Sequence, residues 1–155
     1  MNEAANAMVP RRSDCDVLYR WIYVSRATFA CADRDQIAAN IAKLSRARNA
    51  SLGVTGALVF SGERFAQLLE GSEAGIHDLQ RSIMRDPRHA DITTVLNEAG
   101  ATRMFEDWSL LYATSSRFLG RILDIIELGR PWQELLPMRE LTAVFHELST
   151  GSRSR

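Results

Sequence analysis

The segment that most limits the possible folds is VLYRWIYVS, from Val17 to Ser25. Successive side chains of a strand point to opposite faces of its sheet. Three aromatic side chains then share one face and three aliphatic ones share the other: Tyr19, Trp21 and Tyr23 against Leu18, Ile22 and Val24. A strand with two apolar faces is typical of the centre of a sheet that is covered on both sides. We therefore expect structure to pack against each face of one sheet.

Composition narrows the class of protein. The chain has 155 residues, which suits one domain, and 46% of them are hydrophobic, enough for a core. The net charge is zero, so no overall field favours nucleic acid or a membrane surface. Cys15 and Cys31 are too few for a disulfide framework or a zinc cluster. Because no segment resembles a signal peptide or a membrane span, we expect a cytoplasmic protein with neither a nucleic-acid nor a membrane partner.

The segment after the first strand predicts a helix. Asp33 can cap its start, with Gln36 placed close to a capping box, and the helix is expected to end near Asn49. Its apolar positions recur at helical spacing: Ile37, Ile41 and Leu44.

An antiparallel hairpin is predicted next. The apolar run GVTGALVF, residues 53–60, reads as a buried strand, and Ser61 and Gly62 form a tight turn after it. The returning strand, RFAQLLEG at residues 64–71, carries Gln67 among apolar neighbours, where a buried amide needs a hydrogen-bond partner.

A second helix and two more strands complete the predicted sheet. Ser72 can cap the helix, which is expected to run to Asp86, before Pro87. Its apolar stripe is Ile76, Leu79 and Ile83, and strands are predicted at residues 91–99 and 108–113. This order predicts an α+β, ferredoxin-like βαββαβ(β) sheet with two helices on one face.

The tail is predicted to be helical. One amphipathic helix spans Phe118 to Ile126 and is broken by Gly129 and Pro131. Another starts near Pro137 and carries a stripe formed by Leu141, Val144, Phe145 and Leu148. These helices are expected to cover the second face of the sheet, to dock a partner, or to do both.

Three polar residues on apolar elements suggest a binding site. A strand Tyr such as Tyr23 is more often a core residue, and an Asn at the end of a helix, such as Asn49, is more often a cap. With Gln67 they indicate a pocket for an uncharged ligand with amide-like edges, and Trp108 with Leu110 adds an apolar wall. No phosphate loop, nucleophile motif or metal-spaced histidine pair is present in the sequence.

The chain resembles the BLUF domain family, blue-light sensors that use flavin, over roughly residues 17–113. The shared motifs are YVSRA (23–27), RNASLGVTGALVF (48–60), FAQLLEG (65–71), DPRH (86–89) and FEDWSLLYA (105–113). The resemblance implies a short, stand-alone photoreceptor that binds FAD, or FMN, between its first two helices. It also implies a non-enzymatic protein that signals to an unidentified downstream protein, with a homo-oligomer expected.

The resemblance also assigns roles by position. Tyr23 is the expected electron and proton donor, Gln67 the switching amide and Trp108 the third member of the photoactive group. The residues expected to bind the flavin are Tyr23, Ile41, Asn49, Gln67, Ile83, Asp86, Arg88 and His89.

Three positions depart from the family pattern: Arg48 where the family often has Asn, Ser82 where it often has Arg, and Leu110 where it often has Met.

Four segments are expected along the chain: a flexible tail (1–14), the photosensor domain (15–114), a helical extension for capping or output (115–149) and a flexible end (150–155). Two other readings remain open. One is a flavin- or nucleotide-binding regulatory module without photochemistry. The other is a small phosphate-handling hydrolase on the same scaffold, which would need a basic anion cradle.

Overall fold

The structure is a computed structural model, and it describes residues 17–29, 32–100, 102–114 and 135–152. The described elements are, in chain order, β1 (Tyr19–Ala27), α1 (Arg34–Ser51), β2 (Thr55–Phe60), β3 (Arg64–Gly71), α2 (Glu73–Met84), β4 (His89–Ala99), β5 (Leu111–Ala113) and α3 (Leu135–Ser152).

The five strands form one mixed sheet in the order β4-β1-β3-β2-β5. β1 pairs antiparallel with both β3 and β4, β2 pairs antiparallel with β3, and β5 runs parallel to β2. The ferredoxin-like prediction is confirmed, and so is the central place of β1. Its pairing with β4 shifts register twice, between Ile22 and Tyr23 and between Val24 and Arg26. Such irregularities re-aim side chains and are common beside functional sites.

α1 packs on the sheet with a different face from the one that was predicted. Leu44 is 63% exposed, whereas Ala38 and Ala42 are buried. Small side chains let a helix come close to a sheet, so packing selects the alanine face over the larger residues of the predicted stripe. The predicted start is correct, although the Asp33 side chain makes no capping hydrogen bond.

The helix ends depend on glycine and serine. α1 continues two residues past Asn49 and closes with a Schellman motif, in which the amide of Gly53 donates to Ala50 O and that of Val54 donates to Asn49 O. Gly53 has a φ of +63°, which favours glycine at this position. The Ser72 side chain caps α2 as predicted, by accepting a hydrogen bond from the amide of Gly75 at 3.1 Å.

Several predicted boundaries are wrong by two or three residues, including the starts of β2 at Thr55 rather than Gly53 and of β4 at His89 rather than Asp91. α2 ends at Met84 rather than Asp86, since residues 85–88 turn toward β4. β5 begins at Leu111 rather than Trp108, and Trp108 is 38% exposed. α3 begins before Pro137 and continues through Ser152, into the end that was expected to be flexible. Helix and strand ends depend on local hydrogen bonds that apolar periodicity does not report.

Buried side chains lie on both faces of the sheet. α1 and α2 cover one face, where Phe60 and Leu110 pack near α1 and Trp21 and Leu69 pack near α2. On the other face, the predicted stripe of α3 joins a cluster of apolar strand residues that includes Ile22, Val24, Ala66 and Leu68; the stripe residues are Leu141, Val144, Phe145 and Leu148. The prediction that a tail helix covers the second face is confirmed.

Some predictions fall on residues outside the described ranges. These are the tail at residues 1–14, both cysteines, the helix from Phe118 to Ile126 with its break, and residues 153–155. In the part of the chain that is described, no helix is both long enough and apolar enough to cross a membrane.

Candidate functional site

Tyr23 and Gln67 meet because their strands place them directly opposite each other. They are Cα partners in the β1–β3 register, and Leu58 is the partner of Gln67 on β2. Their side chains point to the face covered by α1 and α2, and the Tyr23 hydroxyl donates a hydrogen bond to Gln67 Oε1. The opposite end of the amide, Gln67 Nε2, has no hydrogen-bond partner among the described residues. A buried amide thus holds Tyr23 with its oxygen and offers two N–H donors to a ligand.

Burial controls the chemistry of this pair. Tyr23 is 3% exposed and Gln67 is 4% exposed. Burial raises the pKa of the Tyr23 phenol far above its ordinary value, and the Asp86 carboxylate raises it further. The phenol is therefore neutral and able to donate its proton at every physiological pH.

Aromatic neighbours fix the orientation of the Tyr23 ring. Trp21, two residues earlier on the same face, stacks on it with 4.4 Å between ring centroids. Trp21 is itself held by a hydrogen bond from Nε1 to Thr94 Oγ1 at 3.0 Å. The His89 ring lies 6.1 Å from the Tyr23 ring and 6.2 Å from the Phe65 ring, between centroids. The phenol thus has little freedom to leave Gln67.

A cleft opens above the pair, between the two helices. We call it the inner cleft; its lining residues are Tyr23, Ile41, Ser45, Leu58, Phe65, Gln67, Ile83, Asp86, Arg88 and His89. Its empty space is about 360 Å³, including the part that opens to solvent. Ile41 on α1 and Ile83 on α2 bring apolar side chains from either helix, as predicted. A flat ring with polar edges fits this lining, because apolar groups come from both helices and the free Gln67 amide lies at its base.

Asn49 lies in the adjoining part of the site. It is 1% exposed and shares a second group of lining residues with Gln67, Ser82 and Ile83. Its Nδ2 donates to Ser109 O at 2.9 Å, which ties the end of α1 to the segment before β5. The Asn49 side chain is therefore held at a position that the polar edge of a ligand in the cleft can reach.

Asp86 and Arg88 form a bidentate pair at the rim. Arg88 Nη2 donates to Asp86 Oδ2 at 2.6 Å and Arg88 Nε donates to Oδ1 at 2.9 Å. The hydrogen bonds from Arg88 lower the pKa of the Asp86 carboxyl, so it is ionised at neutral pH. Thr28 anchors this turn through hydrogen bonds to Pro87 O and Arg88 O.

His89 connects α2 to β1. Its Nε2–H donates to Ile83 O at 2.9 Å, and its Nδ1 lies 2.9 Å from Ser25 Oγ. Since the carbonyl can only accept, Nε2 carries a proton. His89 thereby fixes the carbonyl end of α2, which carries Ile83, against the strand that carries Tyr23.

The structure brings all but one of the predicted site residues to this cleft. Trp108 is outside both groups of lining residues and lies on the loop before β5, where its carbonyl accepts from the amide of Gly56. It therefore provides no aromatic wall here, and Leu110 is buried below α1 instead.

Two serines were missed by sequence reasoning: Ser45, which lines the cleft, and Ser25, which contacts His89. Ser45 follows Ile41 by four residues and precedes Asn49 by four, so helical spacing places all three on one face of α1. Ser25 follows Tyr23 by two residues and so shares its face of β1. Serine gives no hydrophobic signal, which is why a search for apolar periodicity passed over both.

Comparison with known proteins agrees with this geometry. Residues 18–111 match the profile of the BLUF family, described as sensors of blue-light using FAD. The chain belongs to the BLUF family. Its members sense blue light with a flavin, and the predicted cofactor is confirmed at this level.

One curated relative is the photoactivated adenylate cyclase subunit beta of Euglena gracilis. It is 32% identical over 93 residues, which are 60% of this chain and 11% of that protein. The aligned part thus spans about a tenth of this longer relative.

Solved structures of BLUF proteins share this fold over most of the chain. BlrB, a BLUF protein in its dark state, is 31% identical with a TM-score of 0.70, over 88% of this chain and 98% of that one. BlrP1 of Klebsiella pneumoniae, solved with FMN and cyclic diGMP, is 27% identical with a TM-score of 0.60, over 83% of this chain and 34% of that one. The FMN belongs to that structure and is consistent with a family site that takes flavin.

Proposed function

We propose that this chain is a blue-light photoreceptor in which Tyr23 and Gln67 are the switching pair. The observation that carries the proposal is the buried hydrogen bond from the Tyr23 hydroxyl to Gln67 Oε1, with the amide nitrogen left free beside the inner cleft. Such an amide can exchange its donor and acceptor ends at little steric cost, because the two ends have nearly the same shape.

The flavin ring would lie in the inner cleft. Ile41 and Ile83 would pack on its faces, and the polar contacts would come from Gln67, Asn49, Asp86 and Arg88. The His89 ring would contact the flavin through its carbon atoms, since both of its nitrogens are bound within the protein. When bound, a flavin supplies the absorption of blue light and an acceptor for one electron from Tyr23.

Tyr23 and Gln67 would carry the proton. A phenol that has lost an electron is strongly acidic, so the Tyr23 proton moves along the existing hydrogen bond to Gln67 Oε1. Because both side chains are at least 96% buried, water does not compete for it. When the electron returns, one proton returns to Tyr23. If it is the proton on Oε1, the amide can remain with its ends exchanged. If it comes from the amide nitrogen instead, the proton on Oε1 stays and the amide remains as its tautomer. The resulting change in hydrogen bonding is the local switch.

The signal would leave through β3. Ala66 and Leu68 flank Gln67 in sequence and point to the opposite face, where they pack with the apolar stripe of α3. A change at Gln67 that shifts β3 therefore reaches α3 directly. We propose residues 15–114 as the photosensor and 115–149 as the output segment.

The output is proposed to be contact with a separate downstream protein, with no enzymatic activity in this chain. We also propose that the protein is cytoplasmic and forms a homo-oligomer, which light scattering in the dark and under blue light would test. The Euglena relative is named as an adenylate cyclase, but the aligned segment covers only 11% of that protein. Its cyclase activity is therefore not assigned to this chain.

Absorption spectroscopy tests the proposal. The purified protein is expected to be yellow, with a flavin spectrum that shifts to longer wavelength under blue light and recovers in the dark. The shift follows if the switched amide donates a new hydrogen bond to a flavin carbonyl, since this lowers the excitation energy. A protein that stays colourless after incubation with FAD and FMN would contradict the proposal.

A further inference from the structure

Trp21 is stacked on Tyr23 without reaching the inner cleft. The two ring centroids are 4.4 Å apart, and the ring planes meet at 28°. Trp21 is fully buried and belongs to neither group of lining residues, whereas Tyr23 lines the cleft. Tyr23 is therefore the ring that a ligand in the cleft can contact, and Trp21 covers one face of that ring from inside the core.

The position of the indole is fixed by its neighbours. Its Nε1 donates to Thr94 Oγ1 on β4 at 3.0 Å, close to the register shift between Ile22 and Tyr23. The rest of the ring packs in an apolar cluster that contains Val54, Leu69, Ile76 and Leu79. The rings of Trp21 and Tyr23 therefore keep one mutual arrangement, which the photochemical reaction does not have to create.

A stacked indole favours positive charge on its neighbour. The face of an aromatic ring is negative and attracts a cation, and the indole of Trp does so most strongly among the aromatic side chains. This attraction is larger where water is absent. Trp21 and Tyr23 are 0% and 3% exposed, so solvent screens the contact between their rings very little.

The proposed electron transfer creates such a charge on Tyr23. When Tyr23 gives up one electron to the light-excited flavin, its proton is still on the phenol oxygen. The ring is then positively charged until that proton moves to Gln67 Oε1. A group that stabilises this charge lowers the barrier to the transfer of the electron, provided that it is already in place.

Other groups near the ring contribute less. The Asp86 carboxylate also favours a positive charge, but Arg88 offsets it through hydrogen bonds of 2.6 to 3.1 Å. The His89 ring is tilted by 58°, with its centroid 6.1 Å from that of Tyr23. Among the described residues, Trp21 alone stacks on the Tyr23 ring.

We propose that Trp21 stabilises the positive charge on Tyr23 during electron transfer and so makes that step faster. Trp21 itself loses neither an electron nor a proton, and its indole face acts as a preorganised partner for the charge. It is a positioning residue, because it acts through Tyr23 and does not touch the ligand in the cleft. The inference rests on the proposed function, since it requires Tyr23 to be the electron donor.

Flavin fluorescence lifetimes test the inference. In the full chain loaded with FAD, the lifetime after blue excitation becomes shorter as electron transfer from Tyr23 becomes faster. Trp21→Leu removes the indole face and should slow the transfer about three- to ten-fold, and Trp21→Phe, which keeps a weaker face, should give an intermediate rate. Trp21→Phe alone decides the question if Trp21→Leu does not fold. Tyr23→Phe gives the lifetime without transfer from this residue.

Ile76→Ala separates this role from a general loss of packing. Ile76 is fully buried in the same cluster as Trp21 and belongs to neither group of lining residues. The change should lower the free energy of unfolding, measured in urea, because it leaves a cavity in the cluster. It should leave the rate of electron transfer unchanged, since the stacked indole is still present.

The stacking itself is tested without flavin. The chain has three tryptophans, and Trp108→Phe/Trp132→Phe leaves only Trp21. In this flavin-free protein, the near-ultraviolet circular dichroism of the indole should change when Tyr23→Leu is added, because the ring stacked on Trp21 is removed. An unchanged indole signal would mean that the two rings are not stacked, and the inference would be wrong.

The outcomes distinguish this inference from the proposed function. If both Trp21 variants transfer the electron at least as fast as the wild type while the red shift persists, the role of Trp21 is wrong and the proposed function stands. The same holds if Ile76→Ala slows the transfer as much as the Trp21 variants do. If the wild type shows no red shift, or if Tyr23→Phe leaves the lifetime unchanged, the proposed function fails and the inference fails with it.

Discussion

Gln67 uses only one end of its side-chain amide among the described residues. Its oxygen accepts from the Tyr23 hydroxyl, and its nitrogen pairs with none of them. Because the side chain lines the inner cleft, a ligand there can accept from this nitrogen. The same feature that makes the pocket a binding site therefore makes the amide the group most able to change partners.

The pH dependence of stability should report the burial of Tyr23. Below pH 10 the phenol is protonated in both the folded and the unfolded chain. Above pH 10 an unfolded tyrosine ionises, while the raised pKa of Tyr23 keeps the folded phenol protonated. The free energy of unfolding should then fall by up to about 1.4 kcal/mol per pH unit from this residue. Urea unfolding between pH 9 and pH 11 measures the fall.

Tyr23→Phe is the control, because it keeps the ring and removes the hydroxyl. The variant should lose stability less steeply than the wild type over the same pH range. Equal slopes for the two proteins would show that the Tyr23 hydroxyl is not shielded from water as the structure indicates.

Single side chains were predictable where strand alternation fixes a face. Tyr23 and Gln67 were placed correctly in this way, and their pairing follows from the ferredoxin-like strand order, in which β1 lies beside β3. The position of Trp108 was not predictable, because it depends on where β5 begins. That start is set by pairing with β2, a contact between residues more than fifty positions apart.

β1 and β3 are also joined by a buried ion pair on the face opposite the cleft. Arg20 and Glu70 are partners in the strand register, and Arg20 Nη2 lies 3.4 Å from Glu70 Oε2. Glu70 also accepts from the amides of Met104 and Phe105, at 3.0 and 2.7 Å. The carboxylate thus fixes the loop after β4 to the centre of the sheet.

Glu70→Gln should strongly destabilise the protein. Glu70 is fully buried and Arg20 is 6% exposed, so the change removes the buried counter-ion of Arg20 and leaves only the half-exposed Glu98. A loss of about 3–5 kcal/mol is expected in urea unfolding at pH 7. Glu98→Gln removes the other carboxylate of Arg20, which is 43% exposed, and should cost below about 1 kcal/mol. Similar losses for the two variants would refute the distinction between a buried and a rim contact.

The helices show what periodicity can and cannot predict. α2 and α3 each turn the predicted stripe toward the sheet, where every stripe residue is buried except Ile83, which is partly buried. α1 has both an alanine face and an isoleucine–leucine face, and the sequence pattern favoured the larger side chains. In the structure α1 approaches the sheet closely through its alanine face, where Ala38 and Ala42 pack. Ile41 on the other face lines the cleft.

The molecule places its site and α3 on opposite faces of one sheet. The two apolar faces of β1 already indicated this arrangement, because each face needs a cover. Which residues cover the second face could be predicted from the α3 stripe. The boundaries of that helix could not, since its ends lack a decisive capping pattern.

Phe145→Ala tests whether α3 is part of the folded core. The side chain is fully buried with Leu68 and Ile22 in the cluster beneath α3. Removing it should lower the free energy of unfolding by about 3–5 kcal/mol, measured by urea unfolding. The neighbouring exposed His146→Ala should change it by less than about 0.5 kcal/mol. A Phe145→Ala protein as stable as the wild type would mean that α3 does not pack on the sheet in solution.

The proposed light switch depends most on Gln67, and the Gln67→Leu variant tests it most directly. Leucine keeps similar bulk and removes both ends of the amide, so the variant should still bind flavin and show its absorption spectrum. Light-minus-dark difference spectra of the two proteins are then compared under the same blue illumination. The wild type is expected to show a reversible red shift, and Gln67→Leu is expected to show none. A normal, reversible red shift in Gln67→Leu would contradict the assignment of this amide as the switch.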